Sequence, residues 1–476
     1  MKRISVISYG ALGDGKTLDT AAFQAAVNAA EAGDTVFVPS GEYLIGSVFL
    51  KSNMRFEMAE GVTLIGSSNM DDYAPVPYDK ENRYLTEPEG PYGCFFKAAA
   101  LCAYQAENLE IVGGRLLFDD LAFDEKRPLN PVILDEDYIQ GVGYFRQPSH
   151  YYFPQKRPAG VYISRCKGVR VKGLFFEKSP GFSLWALNSE NLVFDGIGVK
   201  NSKYQWNGDG LHFSSCKNVL VTGCDIDASD DCVAVDGNYG GQSRNICVEN
   251  CSLKTTMHVI RIYTGLDFGT ERIGEDFDRY SVAGVTVRNC EVSEGGGVIL
   301  LCAFDGDIRD ITFEHLICKQ SYEGTAIVIS AKAGKVAGVT VKDCRFSCNG
   351  IGYYCAEGQG SIDGVTIENC AFTVTPKTKI WGIDFPSGVV THALSMPYAL
   401  VVKGVKKLLL ERVTVRWAGE EFSDSLPPEL RQRIVDKIGE ETLLAIEPKE
   451  LQAVCVLNSE VVYNGCDIEN YRRKEK

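Results

Sequence analysis

The chain has 476 residues and a formal charge of −14, with no Lys/Arg-rich block, which speaks against nucleic acid as a partner and, more weakly, against a polyanion held by charge alone. Apolar residues make up 45% and charged residues 24%, an ordinary soluble balance. No run reaches the roughly 20 apolar residues of a membrane span, so no membrane partner is expected.

At the start, Lys2 and Arg3 precede only a short apolar-leaning stretch before Gly10. A secretion signal needs a core of about 7–15 apolar residues, so a cytoplasmic location is expected. Gly10 to Thr17, Gly-Ala-Leu-Gly-Asp-Gly-Lys-Thr, matches the phosphate-binding loop pattern letter for letter. Its context rejects that reading. The helix signal begins at Asp19 or Thr20 instead of Lys16, and no strand ending in a metal-binding Asp follows in β/α alternation. The segment is read as a Gly-rich turn leading into a helix with Phe23, Ala26, Val27 and Ala30 on one face. This helix is expected to cap a solenoid, with residues 1–70 forming the cap and the first coils.

From there a template recurs: a polar turn, an alternating strand, then Asn-Cys or Gly. Copies begin at Glu107, Cys166, Glu190, Cys216, Arg244, Gly284, Arg309, Gly338 and Gly364. Most follow one another at about 22 to 39 residues, the length of a coil in which parallel strands stack about 4.8 Å apart. The expected fold is all-β: one right-handed, single-stranded parallel β-helix of the pectin-lyase-like kind, spanning 1–476 as a single domain. Cys224, Cys251, Cys290, Cys344 and Cys370 should form an inward ladder of reduced thiols, because the 17 cysteines show no disulfide spacing. Residues 120–157 read as a long excursion, where Arg146, Tyr151, Tyr152 and Lys156 could wall off one end of a binding face.

Two adjacent coils open with acids: Asn207-Gly-Asp209-Gly, then Asp230-Asp231-Cys. Asp209 and Asp231 are one coil apart, so the three carboxylates should lie within one or two strand spacings. Crowded like charges keep one carboxyl protonated beside an ionised one, the division of labour that glycoside hydrolysis needs. Asp at strand starts also satisfies turn amides, which is the plain structural alternative. In the following coil, alternation with Ile260 and Ile262 inside sends Arg261 and Tyr263 outward. The column His212, Ala234, Arg261 is then expected to face solvent beside the carboxylates. Towards the C-terminus, residues 417–452 read as a helical insertion, with Leu430, Ile434, Val435 and Ile438 on its apolar side, before strands resume at Ala453.

Together these segments resemble the polygalacturonase-type glycoside hydrolases. The Gly10–Gly15 turn with Asp19, Gln24 and the run from Val38 to Tyr43 is similar to that family's opening. Arg157-Pro158 and Ser179-Pro180 ahead of Trp185 resemble its lead-in to the site. Asn207-Gly-Asp209-Gly looks like its Asn-Thr-Asp-Gly, Asp230-Asp231 its paired aspartates, and Met257-His258 its Gly-His-Gly. The resemblance implies a single displacement with inversion. Asp230 would be the general acid, Asp209 and Asp231 would position and deprotonate the water, and His258 would support the charges. Asn207, His212, Arg261 and Tyr263 are the candidate substrate contacts, and no cofactor or metal is expected.

The chain departs from the pattern in places. His212 stands where an acid usually follows, Met257 and Val259 replace the glycines flanking the family His, and Ile299 and Leu301 stand where the family's uronate-binding Arg and Lys belong. The expectation is an inverting, exo-acting glycosidase on pectin-derived or related oligosaccharides, as a monomer or weak oligomer. A β-helix lyase using calcium-binding aspartates and a non-catalytic glycan-binding β-helix are the other readings.

Overall fold

A computed structural model describes residues 1–77, 98–119, 122–128, 150–154, 157–202, 207–237, 241–255, 257–265, 281–321, 326–376, 398–419 and 450–473, with isolated positions between 428 and 444. These fall into two compact units, one of residues 1–127 and 152–252, the other of 128–151 and 253–476. Each unit is a stack of coils in the manner of a parallel β-helix, nearly every described coil giving one short strand to each of three almost wholly parallel sheets.

In the first unit the repeated template lands on one sheet, where Glu107–Val112, Lys167–Lys172, Glu190–Asp195, Lys217–Thr222 and Ser243–Glu249 stack in parallel register. The alternation seen in the sequence is the in/out alternation of the strands. Leu192, Val219 and Ile246 are register partners, as are Phe194, Val221 and Val248, and all six are buried. The third sheet of this unit carries Pro158–Ser164, Leu184–Leu187, Leu211–Ser214 and Val233–Asp236 as successive neighbours.

The second unit repeats the scheme. Val282–Arg288, Ile308–Glu314, Lys335–Lys342 and Ser361–Glu368 form its copy of the first sheet. His258–Thr264, Gly297–Ala303, Ile327–Ala331 and Gly352–Ala356 belong to the third.

The Asn-Cys signature has a local cause at each coil corner. Asn250, Asn289, Asp343 and Asn369 all adopt φ between 51° and 57°, a left-handed conformation that Asn and Asp tolerate better than other side chains. The reversal turns the next residue inward, so Cys251, Cys290, Cys344 and Cys370 are buried. Each thiol donates to the carbonyl two residues earlier, at 3.1–3.2 Å. No disulfide joins the described cysteines. Cys224 neighbours Cys251 and Cys344 neighbours Cys370, and this contact together with burial pushes the Cys224 and Cys344 thiols far up.

The N-terminal helix is Thr20–Ala29, burying Phe23, Ala26 and Val27, with Phe23 packed edge-on to Tyr43 at 5.3 Å. Asp19 sits at the helix N-cap, but its side chain makes no cap bond to the helix. Its carboxylate accepts from Leu12 N and Gly13 N at 2.8 and 3.1 Å, and Asp14 takes the amides of Lys16 and Thr17 at 2.9 and 2.7 Å. The chain's own carboxylates thus occupy four amides of the loop that resembles a phosphate cradle. Of the C-terminal insertion, Pro428, Gln432, Val435, Asp436, Glu440, Glu441 and Leu444 are helical; Leu430, Ile434 and Ile438 lie outside the described residues. So do Arg146 and Lys156, while Tyr151 and Tyr152 fall on the strand His150–Pro154.

Candidate active site

In the first unit the two acid-bearing turns meet. Backbone bonds stack them directly: Ser183 N donates to Asp209 O and Gly210 N donates to Asp231 O, both at 2.9 Å. Gly210 is required at that crossing, since a Cβ there would sit 2.6 Å from the Cys232 carbonyl oxygen and 2.6 Å from Ile226. Asn207 takes a left-handed turn with φ 50°, and its amide reaches Asp230 Oδ2 at 3.3 Å. Asp209, Asp230 and Asp231 each present an oxygen within 4.8 Å of the others. Asp209 and Asp231 are buried, at 2% and 1% exposure, with Asp230 partly open.

A hub behind the acids escaped sequence reasoning. Buried Asn201 receives Ser179 N at 3.0 Å and donates to Ser183 Oγ and the Gly208 carbonyl, each at 3.0 Å. That same carbonyl accepts from Ser229 N and Ser229 Oγ, so one residue ties three coils at the level of the carboxylates. The only sequence signal was a polar residue closing the strand that precedes the Asn-Gly-Asp-Gly turn. Buried Arg157 donates to Pro180 O at 2.6 Å, which explains the paired Arg-Pro and Ser-Pro segments ahead of Trp185.

His212 corrects the expectation of a solvent-facing column. It stands on the outer row of the third sheet, between Trp185 and Ala234 as register partners, yet it is only 4% exposed, and Ala234 is fully buried. Its Nδ1 lies 2.7 Å from Asp209 Oδ2 and its Nε2 2.8 Å from Asp236 Oδ2. Burial alone would push the ring's pKa down; the two carboxylates outweigh it and carry it up to about 9. His212 is therefore an imidazolium at neutral pH, held by side chains of this protein instead of reaching for a substrate.

His258, Arg261 and Tyr263 belong to the second unit, on the strand His258–Thr264. His258 opens that strand, is buried, and is level with Gly297. The Arg261 guanidinium lies 4.5 Å from the Tyr263 ring centroid, a cation–π contact. Tyr263 is on the outer row but packed into a buried cluster with Leu300, Cys302 and Val328. This corrects the reading of Ile299 and Leu301. They pair with Ile260 and Ile262 on the inner row, and the outer-row partners of Arg261 and Tyr263 are Leu300 and Cys302.

Three converging carboxylates can move protons or hold a cation. Asp209, Asp230 and Asp231 could each offer an oxygen to a cation, with Asp209 Oδ2 already engaged by His212.

Residues 139–330, which contain every acid of this cluster, match the model of glycosyl hydrolases family 28. This stretch is similar to the family 28 glycosyl hydrolases. Residues 3–75 match a second model, rhamnogalacturonase A/epimerase, pectate lyase-like. An exo-poly-α-D-galacturonosidase of Dickeya chrysanthemi is 26% identical over half of this chain and 42% of its own length. A probable polygalacturonase of Vitis vinifera is 27% identical over 49% of this chain and 44% of its own length. The chain thus spans about half the length of these curated relatives. Among solved structures, the family 28 exopolygalacturonase of Yersinia enterocolitica aligns with a TM-score of 0.63 at 17% identity, over 88% of this chain and 77% of that one. A hyperthermoactive exopolygalacturonase of Thermotoga maritima gives 0.54 at 16%, over 99% and 94%. At these identities the structural likeness supports the family's fold.

Proposed function

We propose that the protein is a glycoside hydrolase acting on pectin-derived or related oligosaccharides from a chain end. The observation that carries this reading is the convergence of Asp209, Asp230 and Asp231 within 4.8 Å, inside the segment that matches the hydrolase family. Asp230, the most open of the three, gives its proton to the glycosidic oxygen as the bond to the anomeric carbon breaks. A water held by Asp209 and Asp231 loses a proton to one of them and forms the new bond to that carbon. Asn207 orients Asp230, and the family resemblance assigns His258 the support of the charges.

The sugar is proposed to differ from an ordinary polyuronide. Two substrates fit this reading: one whose carboxylate is held by Arg261 in place of the family's cation pair, or a neutral or deoxy sugar, since the outer-row partners of Arg261 and Tyr263 are the apolar Leu300 and Cys302. The protein is expected to be a monomer or weak oligomer located in the cytoplasm, acting on short oligosaccharides.

The inverting reading rests on the family resemblance and on three acids sharing the work of two.

The test is hydrolysis of a panel of aryl glycosides and pectic oligosaccharides by the wild type and Asp230→Asn. Turnover that drops at least 10³-fold in the variant, with no ultraviolet-absorbing unsaturated product and no effect of a chelator, is expected. Unsaturated product lost on chelation would replace hydrolysis with elimination. Oligosaccharide binding without turnover, unchanged in the variant, would make this a binding protein.

A further inference from the structure

We infer that Asp236 and His212 form a buried relay that positions Asp209, making Asp236 a further residue of the reaction machinery that no sequence motif singles out. The inference rests on the hydrolase reading above, in which Asp209 handles the attacking water. Its geometry is continuous within the first unit. Trp185 Nε1 donates to Ser214 Oγ at 3.0 Å, and Ser214 Oγ donates to Asp236 Oδ2 at 2.7 Å. The same carboxylate oxygen faces His212 Nε2 at 2.8 Å, and His212 Nδ1 faces Asp209 Oδ2 at 2.7 Å.

An ionised carboxylate only accepts, so a ring lying between two of them must donate from both nitrogens, and only the imidazolium does so. One oxygen of Asp209 is thereby fixed, which sets the plane of its carboxylate. A full positive charge also sits beside a cluster of three negative ones. Asp236 is wholly buried and anchored through its backbone as well: Ser243 Oγ and Ser215 N donate to its carbonyl at 2.6 and 2.8 Å. Phe182 covers the imidazole with ring centroids 4.4 Å apart, keeping water from the charged ring, where the hydrogen bonds gain from the low dielectric.

Trp185, Phe182, Ala234 and Ser214 are neutral, and the Cys216 thiol, pushed up to about 12 by burial and then by Asp236 among smaller causes, stays protonated. Asp230 and Asp231, each with an oxygen within 4.8 Å of Asp209, add negative charge. Asp236 touches neither the reacting atoms nor the three-acid cluster; it acts through His212, a positioning residue at one remove.

Two measurements test this on the whole protein. The first follows the imidazole carbon–proton resonances of the wild type, Asp236→Asn and His212→Gln from pH 5 to 10.5; the last variant identifies the His212 signal among the five histidines. A wild-type midpoint near 9 that falls by two units or more in Asp236→Asn is expected. A wild-type midpoint near the ordinary 6.5 would overturn the relay without any reference to activity. The second measures kcat and KM on whichever glycan the wild type cleaves. Asp236→Asn should lower kcat at least tenfold with KM within about twofold and move the alkaline limb of the profile to lower pH, and Asp236→Glu should recover part of the loss. Unchanged kcat, or kcat and KM lost together in step with the melting temperature, would reduce Asp236 to a structural residue and overturn the proposal. A wild type that cleaves nothing while its imidazole titrates near 9 would overturn the hydrolase reading and the relay's part in it, with the charge pairing itself confirmed.

Discussion

His212 shows how far the residue scale reaches from sequence. Strand alternation placed it on the outer row beside the acids, and it is there. Alternation reports a face and says nothing of what covers that face, so its burial under Phe182 and its clamp between Asp209 and Asp236 were not legible. Asp236 reads in sequence as an unremarkable strand end. The clamp has a consequence for stability. A folded pKa near 9 lies above the ordinary 6.5 of a free histidine, so the folded state holds the extra proton. Its contribution is fully present below about pH 6.5 and is lost as pH rises through about 9. Urea unfolding at pH 6.5, 8 and 9.5 should show stability falling by a few kcal/mol, with a clearly smaller fall in His212→Gln. Equal slopes for both proteins would mean that the ring does not carry the charge.

At the scale of elements, the repeat was legible because corner chemistry and strand alternation agree. Asn or Asp supplies the left-handed residue, Cys the small inward group, and the Val-x-Val pairs the stacked rows. The N-terminal helix was legible from its apolar face, while the role of Asp19 was not, because a cap and a loop clamp need the same side chain. The inner and outer rows at 299–302 were assigned one residue out of step: in an all-apolar strand no polar residue marks the face. Gly210 links this scale to the site. Gly210→Ala should cost about 1–3 kcal/mol from forced backbone displacement, and it should lower kcat by more than it lowers the melting temperature's share, because Asp209 precedes it directly. Full activity in a destabilised Gly210→Ala protein would show that the stacking of these two turns does not set the acids.

For the whole molecule, the charge of −14 makes a specific claim about substrate. If the natural glycan is anionic, screening relieves repulsion, and kcat/KM should rise roughly two- to fivefold between 20 and 200 mM salt. A neutral glycan should show no such dependence, and a falling rate would show that a local cation such as Arg261 dominates the encounter. Composition left the sugar open, and the one-dimensional pattern did not reveal that the outer-row partners of Arg261 and Tyr263 are Leu300 and Cys302. The central claim is the division of labour among Asp209, Asp230 and Asp231, and the most direct measurement is proton NMR of the anomeric signals during the first minutes of cleavage. The account predicts that the first product appears with the configuration opposite to that of the bond cleaved, and that Asp230→Asn releases none of it. A first product of unchanged configuration would contradict single displacement and assign one of the three aspartates as a nucleophile.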